Sequence, residues 1–543
     1  MTSPPHDPTR KVGLGKFGPL RPGLVKAMTR RTTRPRGAVI GLVSAGLALG
    51  VGELVAALVR PDAAPAIAVG NRVIRLTPEP VKRWAIRTFG TADKIALLSG
   101  IYAVIAVCAL GIGVLAARRL WAGLAGIAVF GALGSYCALT APASRSSDLW
   151  PTVAGTAAAS AVMVWLSWLG ERSKQSGATE TGGAGPAGGP DRRRFLLGAA
   201  STGALAVVGG YLGRVLQGAW FDVSAARARV ALPAAAEPAA DASGTSVGLG
   251  VPWQTSNGAF YRIDTALRVP QIDPASWRLR LHGMVDREIV LTYDDLLARP
   301  LIERWITLCC VSNEVGGGLI GNARFLGARL ADLLREAGIH RGADQLLLSS
   351  SDGMTIGAPT AVILDGRDAL IAVGMNGTPL PFEHGFPARI VVPGLYGYTS
   401  ACKWVVDIEA TTFQKRQAYW VQGGWDAQTD IKTASRIDTP RNGASVRAGQ
   451  TVPIAGVAWD QHVGVDAVEV QVNDGPWMPA RLARVPSTDT WRQWILDWTP
   501  PRTGSHTLRV RAHDGAGLVQ TSAARDVFPS GATGLHTITV RAV

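Results

Sequence analysis

Five stretches of this chain are apolar over the length that crosses a lipid bilayer as a helix, about 20 residues. They run near Gly37–Val59, Ile95–Ala116, Leu120–Leu139, Leu149–Leu169 and Phe195–Leu212. The second, third and fourth carry no charged side chain, and the first carries only Glu53. Buried helices of a soluble bundle rarely stay uncharged over four or five such runs, so the pattern predicts membrane spans. At 543 residues the chain has room for about three domains, of which the spans form only the first part.

Flanking charge sets the expected topology. The first 36 residues hold nine Lys or Arg against one Asp, which predicts a cytoplasmic N-terminus. Arg118 and Arg119, then Arg172 and Lys174, mark the next inner loops. The segment Arg60–Lys94 has seven basic and three acidic residues, yet strict alternation puts it outside; an amphipathic, membrane-lying piece would reconcile the two. The net charge of +15 is concentrated near the apolar runs, which favours a membrane surface and argues against nucleic acid as partner. The resulting division is a basic tail at 1–36, a four-helix transmembrane region at 37–170, a linker at 171–194, a fifth transmembrane helix at 195–215, a globular domain at 250–430 and a second at 434–543.

Residues Gly177–Pro190 are rich in Gly and Ala and read as flexible linker. Asp191-Arg192-Arg193-Arg194-Phe195-Leu196-Leu197 follows and leads into small apolar residues. It looks like a twin-arginine export signal, although a plain positive-inside flank has the same composition. Export by that route carries folded proteins, so residues from about 215 onward are expected outside the cytoplasm, with the chain held in the cell membrane. No His lies between residues 37 and 213, and Cys-x-x-Cys-His does not occur. The spans therefore offer no bis-histidine haem site, and electrons are expected to pass to a separate electron-transfer protein or a quinone-linked partner.

Beyond an Ala/Pro/Ser/Gly-rich spacer the pattern changes. Trp277–Gly283 alternates apolar and polar residues as a half-buried strand does, and Leu330–Ala337 reads as a helix stopped by Gly338. Short strand-like runs between Gly and Pro, mixed with a few helices, give an α+β domain. In Ile306–Gly317 a strand delivers Cys309 and Cys310 to a turn of small and polar residues. A thiolate there is a soft metal ligand or a nucleophile, and a buried inert cysteine is the plainer reading of the residues by themselves.

The region from about Phe260 to Glu409 resembles the sulfite oxidase family of molybdopterin-dependent oxidoreductases. The resemblance is carried by ordered motifs: Phe260–Thr265, the cysteine loop, Phe325–Leu330, Asp352-Gly353, Met375–Pro381, His384–Arg389, Val392–Gly397 and Ser400–Trp404. It implies a Mo-molybdopterin cofactor, with Cys310 as metal ligand and catalytic centre. It implies pterin or phosphate contacts from Tyr261, Arg262, Asp264, Thr265, Asp352, His384, Arg389, Ser400, Cys402 and Lys403. Arg389 and Lys403 suit the phosphate, one as a planar fork and the other as a point charge. Singly, Arg389 could be a surface charge and His384 a satisfied polar residue.

The departures bear on substrate. Where sulfite oxidases place anion-binding arginines this chain has Ile263 and the pair Glu314-Val315, and Trp425 stands at the place of a catalytic Tyr, with Tyr419 near. Each lost charge-assisted bond is worth roughly 1.5–3 kcal/mol, so sulfite is a doubtful substrate.

Residues 434–543 alternate strictly in Val468–Val472 and Leu508–Ala512, with a turn at Asn473–Pro476. This predicts an all-β immunoglobulin-like sandwich. It resembles the family's dimerisation domain, which implies a homodimer; the Trp-rich run Trp491–Trp498 is equally compatible with plain sandwich core. The whole reads as a membrane-anchored molybdopterin enzyme doing two-electron oxygen-atom transfer on a small molecule outside the cytoplasm. A sulfoxide reductase in place of a sulfite oxidase, or a non-catalytic binding module on the same scaffold, are the alternatives. A transporter is disfavoured because the spans hold almost no ionisable groups.

Overall fold

The computed structural model describes residues 33–89, 92–141, 144–178, 190–248 and 252–543. The basic tail up to residue 32 and the linker between 179 and 189 lie outside them. The chain forms two compact units.

The first unit is helical. Its long helices are α1 (Arg34–Val59), α4 (Asp93–Arg118), α5 (Leu120–Leu139), α6 (Trp150–Ala178) and α7 (Pro190–Phe221), joined by the first half of α2 (Pro65–Leu76). Among the described residues, five helical segments are long and apolar enough to cross a membrane. They pack through small residues that let backbones touch. A Cβ on Gly41 would meet Ala109 O of α4 at 2.0 Å, one on Gly50 would meet Ala206 O of α7 at 2.4 Å, and one on Gly155 would meet Ala48 O of α1 at 2.5 Å. The pairings run antiparallel for α1 with α4 and with α6, and parallel for α1 with α7. The Gln217 side-chain amide donates to both the carboxylate and the backbone carbonyl of Glu53, which satisfies the one acid of α1 within the bundle. Arg60, just after α1, pairs with Asp148, just before α6.

The second unit holds the globular part together with α3 (Glu79–Phe89). Lys82 of α3 donates to Tyr419 OH at 2.9 Å. Two sheets build the α+β domain. One has the order β2-β1-β10-β5-β6, from β1 (Arg278–Gly283), β2 (Ile289–Thr292), β5 (Gln345–Ser350), β6 (Thr355–Pro359) and β10 (Val405–Thr411). The other is β3-β4-β7-β8 with β9 on β7, from β3 (Leu301–Cys309), β4 (Ile320–Arg329), β7 (Leu370–Met375), β8 (Thr378–Pro379) and β9 (Arg389–Val391). Leu279 and Leu281 of β1 point inward between outward Arg278 and Arg280, the alternation expected of a half-buried strand. Helix α8 (Leu330–Ala337) buries Leu330, Leu333 and Leu334 and ends at Gly338, whose φ of +68° a side chain would resist.

The C-terminal sandwich packs β11-β13-β17-β16 against β12-β19-β18-β14-β15, from β11 (Ala434–Thr439), β12 (Ser445–Val446), β13 (Val452–Trp459), β14 (Val465–Val472), β15 (Trp477–Pro479), β16 (Arg481–Leu482), β17 (Arg492–Trp498), β18 (Gly504–Asp514) and β19 (Thr537–Ala542). Trp494 and Trp498 lie in its core with Val468, Val470, Leu508 and Val510. Trp491 instead joins a cluster with Trp253, Cys309 and Tyr396 of the α+β domain. The chain thus has a helical apolar region, a central α+β domain and a C-terminal immunoglobulin-like sandwich.

Candidate molybdopterin site

Cys309 ends β3, and successive side chains of a strand point to opposite faces. Cys309 is buried against Trp253, Tyr396 and Trp491, whereas Cys310 lines a cavity of about 1050 Å³. The turn that follows is fixed by its own backbone. Cys310 N donates to Leu319 O at 2.9 Å, Asn313 Oδ1 accepts from Leu319 N at 2.8 Å, and the amide of Ser312 reaches Cys310 Sγ at 3.4 Å. Burial raises the Cys310 thiol, and the Ser312 amide and hydroxyl pull it back down. The sandwich holds the turn from behind: Arg436 donates to Gly317 O at 2.7 Å, and Gly316, at φ +76°, lies against the His536 ring.

Arg389 enters the same cavity from β9. It is 5% exposed, makes one hydrogen bond, to His384 O at 3.2 Å, and its Nε has no partner. No carboxylate among the described residues pairs with it, and burial draws its guanidinium down to about 10. Lys403 is also nearly enclosed. Burial lowers it to about 8, against the pull of Asp264 at 3.0 Å. His384 Nε2 lies 2.9 Å from Asn257 O, so the proton sits on Nε2, because a carbonyl can only accept. Burial lowers this imidazole to about 4, which keeps it neutral with Nδ1 free of a proton. Tyr261 is held well above its ordinary value by burial, with Cys310 and Cys309 adding to the effect.

Of the residues expected from sequence, Cys310, Tyr261, Asp264, Thr265, Asp352, His384, Arg389, Cys402 and Lys403 line this one cavity. Arg262 and Ser400 are not in its lining. Arg262 braces Asp264 at 2.8 Å, and the buried Ser400 hydroxyl is turned to Leu395 O and Tyr396 O. Ile263, Glu314, Val315 and Trp425, the departures, do line the cavity, while Tyr419 does not. Sequence reasoning missed Tyr398 and Trp420, and also Arg525, Asp526, Val527 and Ala532, which come from the sandwich more than 100 residues downstream. No local pattern marks the last four.

The residues fit the cofactor. A buried guanidinium without an anion is unfavourable by itself, and an unpaired Nε beside a second buried cation is what a phosphate would satisfy. Gly385, at φ +110°, keeps the backbone between them low: a Cβ there would press on Arg389 Cβ at 3.0 Å and Lys403 Cα at 3.2 Å.

Residues 266–420 match the family described as oxidoreductase molybdopterin binding domain, and residues 434–510 match the bacterial Ig domain. Human mitochondrial sulfite oxidase is 33% identical over 291 residues, covering 45% of this chain and 53% of that protein. Chicken (Gallus gallus) sulfite oxidase is 32% identical over 312 residues, covering 48% of this chain and 67% of that protein. The uncharacterized oxidoreductase YuiH of Bacillus subtilis (strain 168) is 32% identical over 158 residues, covering 29% of this chain and 76% of that protein. Among solved structures, the sulfane dehydrogenase SoxCD from Paracoccus pantotrophus aligns with a TM-score of 0.46 at 23% identity, over 53% of this chain and 80% of that one. The chain spans about half the length of the mammalian relatives it matches. With its cysteine loop, its buried cations and the chicken and Bacillus sequence relatives that it covers over two thirds or more of their length, the chain belongs to the sulfite oxidase family of molybdopterin-dependent oxidoreductases.

Proposed function

We propose that this protein is a membrane-anchored oxidoreductase that transfers an oxygen atom, with two electrons, to or from a small molecule outside the cytoplasm. The observation that carries this reading is one cavity lined by Cys310 and by the buried Arg389 and Lys403. The bound molybdenum–pterin group would supply the two-electron exchange. Cys310 would hold the metal through sulfur, and Arg389 and Lys403 would hold the phosphate. Tyr261, kept protonated, can donate a hydrogen bond inside the cavity, and His384 Nδ1 can accept one. Trp420, Trp425 and Tyr398 narrow the cavity with aromatic surface that excludes water.

The substrate we favour is neutral, of the sulfoxide class. Ile263 and Val315 line the cavity where the resemblance would place arginines, and Glu314 beside them repels a dianion. Membrane anchoring is supported by the five apolar helices and their small-residue packing. Alternation of the spans is supported by the Arg60–Asp148 pair, which sets the end of α1 beside the start of α6, and by the parallel α1 and α7, while the cytoplasmic N-terminus rests on the nine Lys or Arg of the first 36 residues. Arg192-Arg193 before the last span fits export by the twin-arginine route, and dimerisation through residues 434–543 and a separate electron carrier or quinone-linked partner complete the reading. The test is a molybdenum and pterin assay of detergent-extracted protein, with turnover measured on sulfite and on dialkyl sulfoxides. Stoichiometric metal with faster sulfoxide turnover supports the reading. Metal-free protein from a host that makes the cofactor sinks it.

A further inference from the structure

A second cavity, of about 130 Å³, lies inside the helical unit between α1, α2, α4, α5 and α6. Its wall is mostly apolar, with Phe130, Met163, Ile112 and Pro65 among the lining residues. Three hydroxyls interrupt that wall, those of Ser44, Thr152 and Thr156. Ser44 is 1% exposed and Thr152 is 5% exposed; both line the cavity, and neither hydroxyl has a hydrogen-bond partner. Helical hydroxyls in apolar surroundings normally turn back to the carbonyl one turn earlier. Thr156 does so onto Thr152 O at 2.7 Å and Thr202 onto Gly198 O at 2.7 Å. Ser44 and Thr152 do not, which leaves two buried donors facing a space with nothing to accept from them, an unfavourable state in an apolar medium.

We propose that this cavity binds the ring of a membrane-soluble quinone-class molecule, whose carbonyl oxygens accept from Ser44 and Thr152. An apolar cavity of about 150 Å³ holds a benzene-sized ring, so the volume suits one six-membered ring and little more. An acyl chain could fill the space but would leave both hydroxyls unpaired. Phe130 is 38% exposed at the rim, on the flank of α5 that a bilayer would face, so a hydrophobic tail has a way out to lipid. The inference rests on the membrane reading.

The experiment uses the full-length protein in lipid nanodiscs, titrated with a short-tailed benzoquinone, with decane as the ring-free competitor. The double variant Ser44→Ala/Thr152→Val keeps the volume and removes both donors. We expect saturable quinone binding that weakens about tenfold in the double variant, the loss of two neutral hydrogen bonds. Without quinone, the variant should melt at or above the wild-type temperature, because the donors it loses are unpaired. Equal affinity in the variant, displacement by decane at matched concentration, or membrane-integrated protein that binds no quinone each overturns the site alone. Protein recovered in the soluble fraction without detergent overturns the membrane reading and the site with it.

Discussion

Lys403 Nζ reaches Asp264 at 3.0 Å within the wall of the cavity, and neither side chain is open to water. The pair positions a cation that would otherwise be uncompensated beside Arg389. Asp264→Asn should destabilise the apoprotein by roughly 3 kcal/mol, because removing one partner strands the other charge. Chemical denaturation checks this; a change under about 0.5 kcal/mol, the size expected for a surface site, would contradict it. The pH dependence has a defined sign. Burial holds folded Lys403 at about 8, below its ordinary 10.5. Below about pH 8 both states keep the proton. Between about 8 and 10.5 only the unfolded chain does, so this group makes the apoprotein more stable as pH rises through that window. The charge offered to the cofactor's phosphate disappears as the same window opens. Pterin retention should therefore fall above pH 8, and Lys403→Arg should flatten that profile.

Arg389 should behave in the opposite way to Lys403. It is buried without a carboxylate, so its charge is a burden on the apoprotein. Arg389→Met should leave apoprotein stability equal or higher, while pterin content falls at least tenfold. Thermal melts of protein made without the cofactor, together with pterin assays of protein made with it, check both halves. A variant that loses stability but keeps its pterin would show that Arg389 is structural.

The cysteine turn depends on the sandwich behind it. At Gly316 a Cβ would come to 2.2 Å from the His536 imidazole, and φ is +76°. Gly316→Ala should cost at least about 1–2 kcal/mol from the left-handed backbone alone, before the ring is displaced. It should also reduce molybdenum content, because the loop that presents Cys310 must shift. Full metal loading in a well-folded variant would show that the two domains are less tightly linked than the contacts suggest.

Substrate choice can be turned by one side chain. Ile263→Arg restores a cation at a position lining the cavity. One charge-assisted bond is worth roughly 1.5–3 kcal/mol, so the KM for sulfite should fall about tenfold or more. Sulfoxide turnover should not improve. An unchanged sulfite KM would mean that position 263 does not face the substrate.

Features encoded locally are legible in the sequence. Apolar length marks the five long helices, strict alternation marks β1 and β14, and Gly338 marks the end of α8. The ordered motifs from Phe260 to Trp404 bring nine of the expected residues into a single cavity. Alternation along β3 says that Cys309 and Cys310 face opposite ways, but only packing against Trp253 and Trp491 decides which one faces the core. Arg525 and Ala532 reach the cavity through tertiary contact and carry no local mark. Trp494 and Trp498 proved to be sandwich core, while Trp491 seals the neighbouring domain, a difference that strand register sets and composition does not.

The most direct test is the molybdenum content of purified Cys310→Ser protein against wild type, both made in a host that supplies the cofactor. One molybdenum per wild-type chain, with the serine variant folded but lacking both metal and redox turnover, is the predicted result. Metal-dependent turnover that survives in the variant would contradict Cys310 as the ligand.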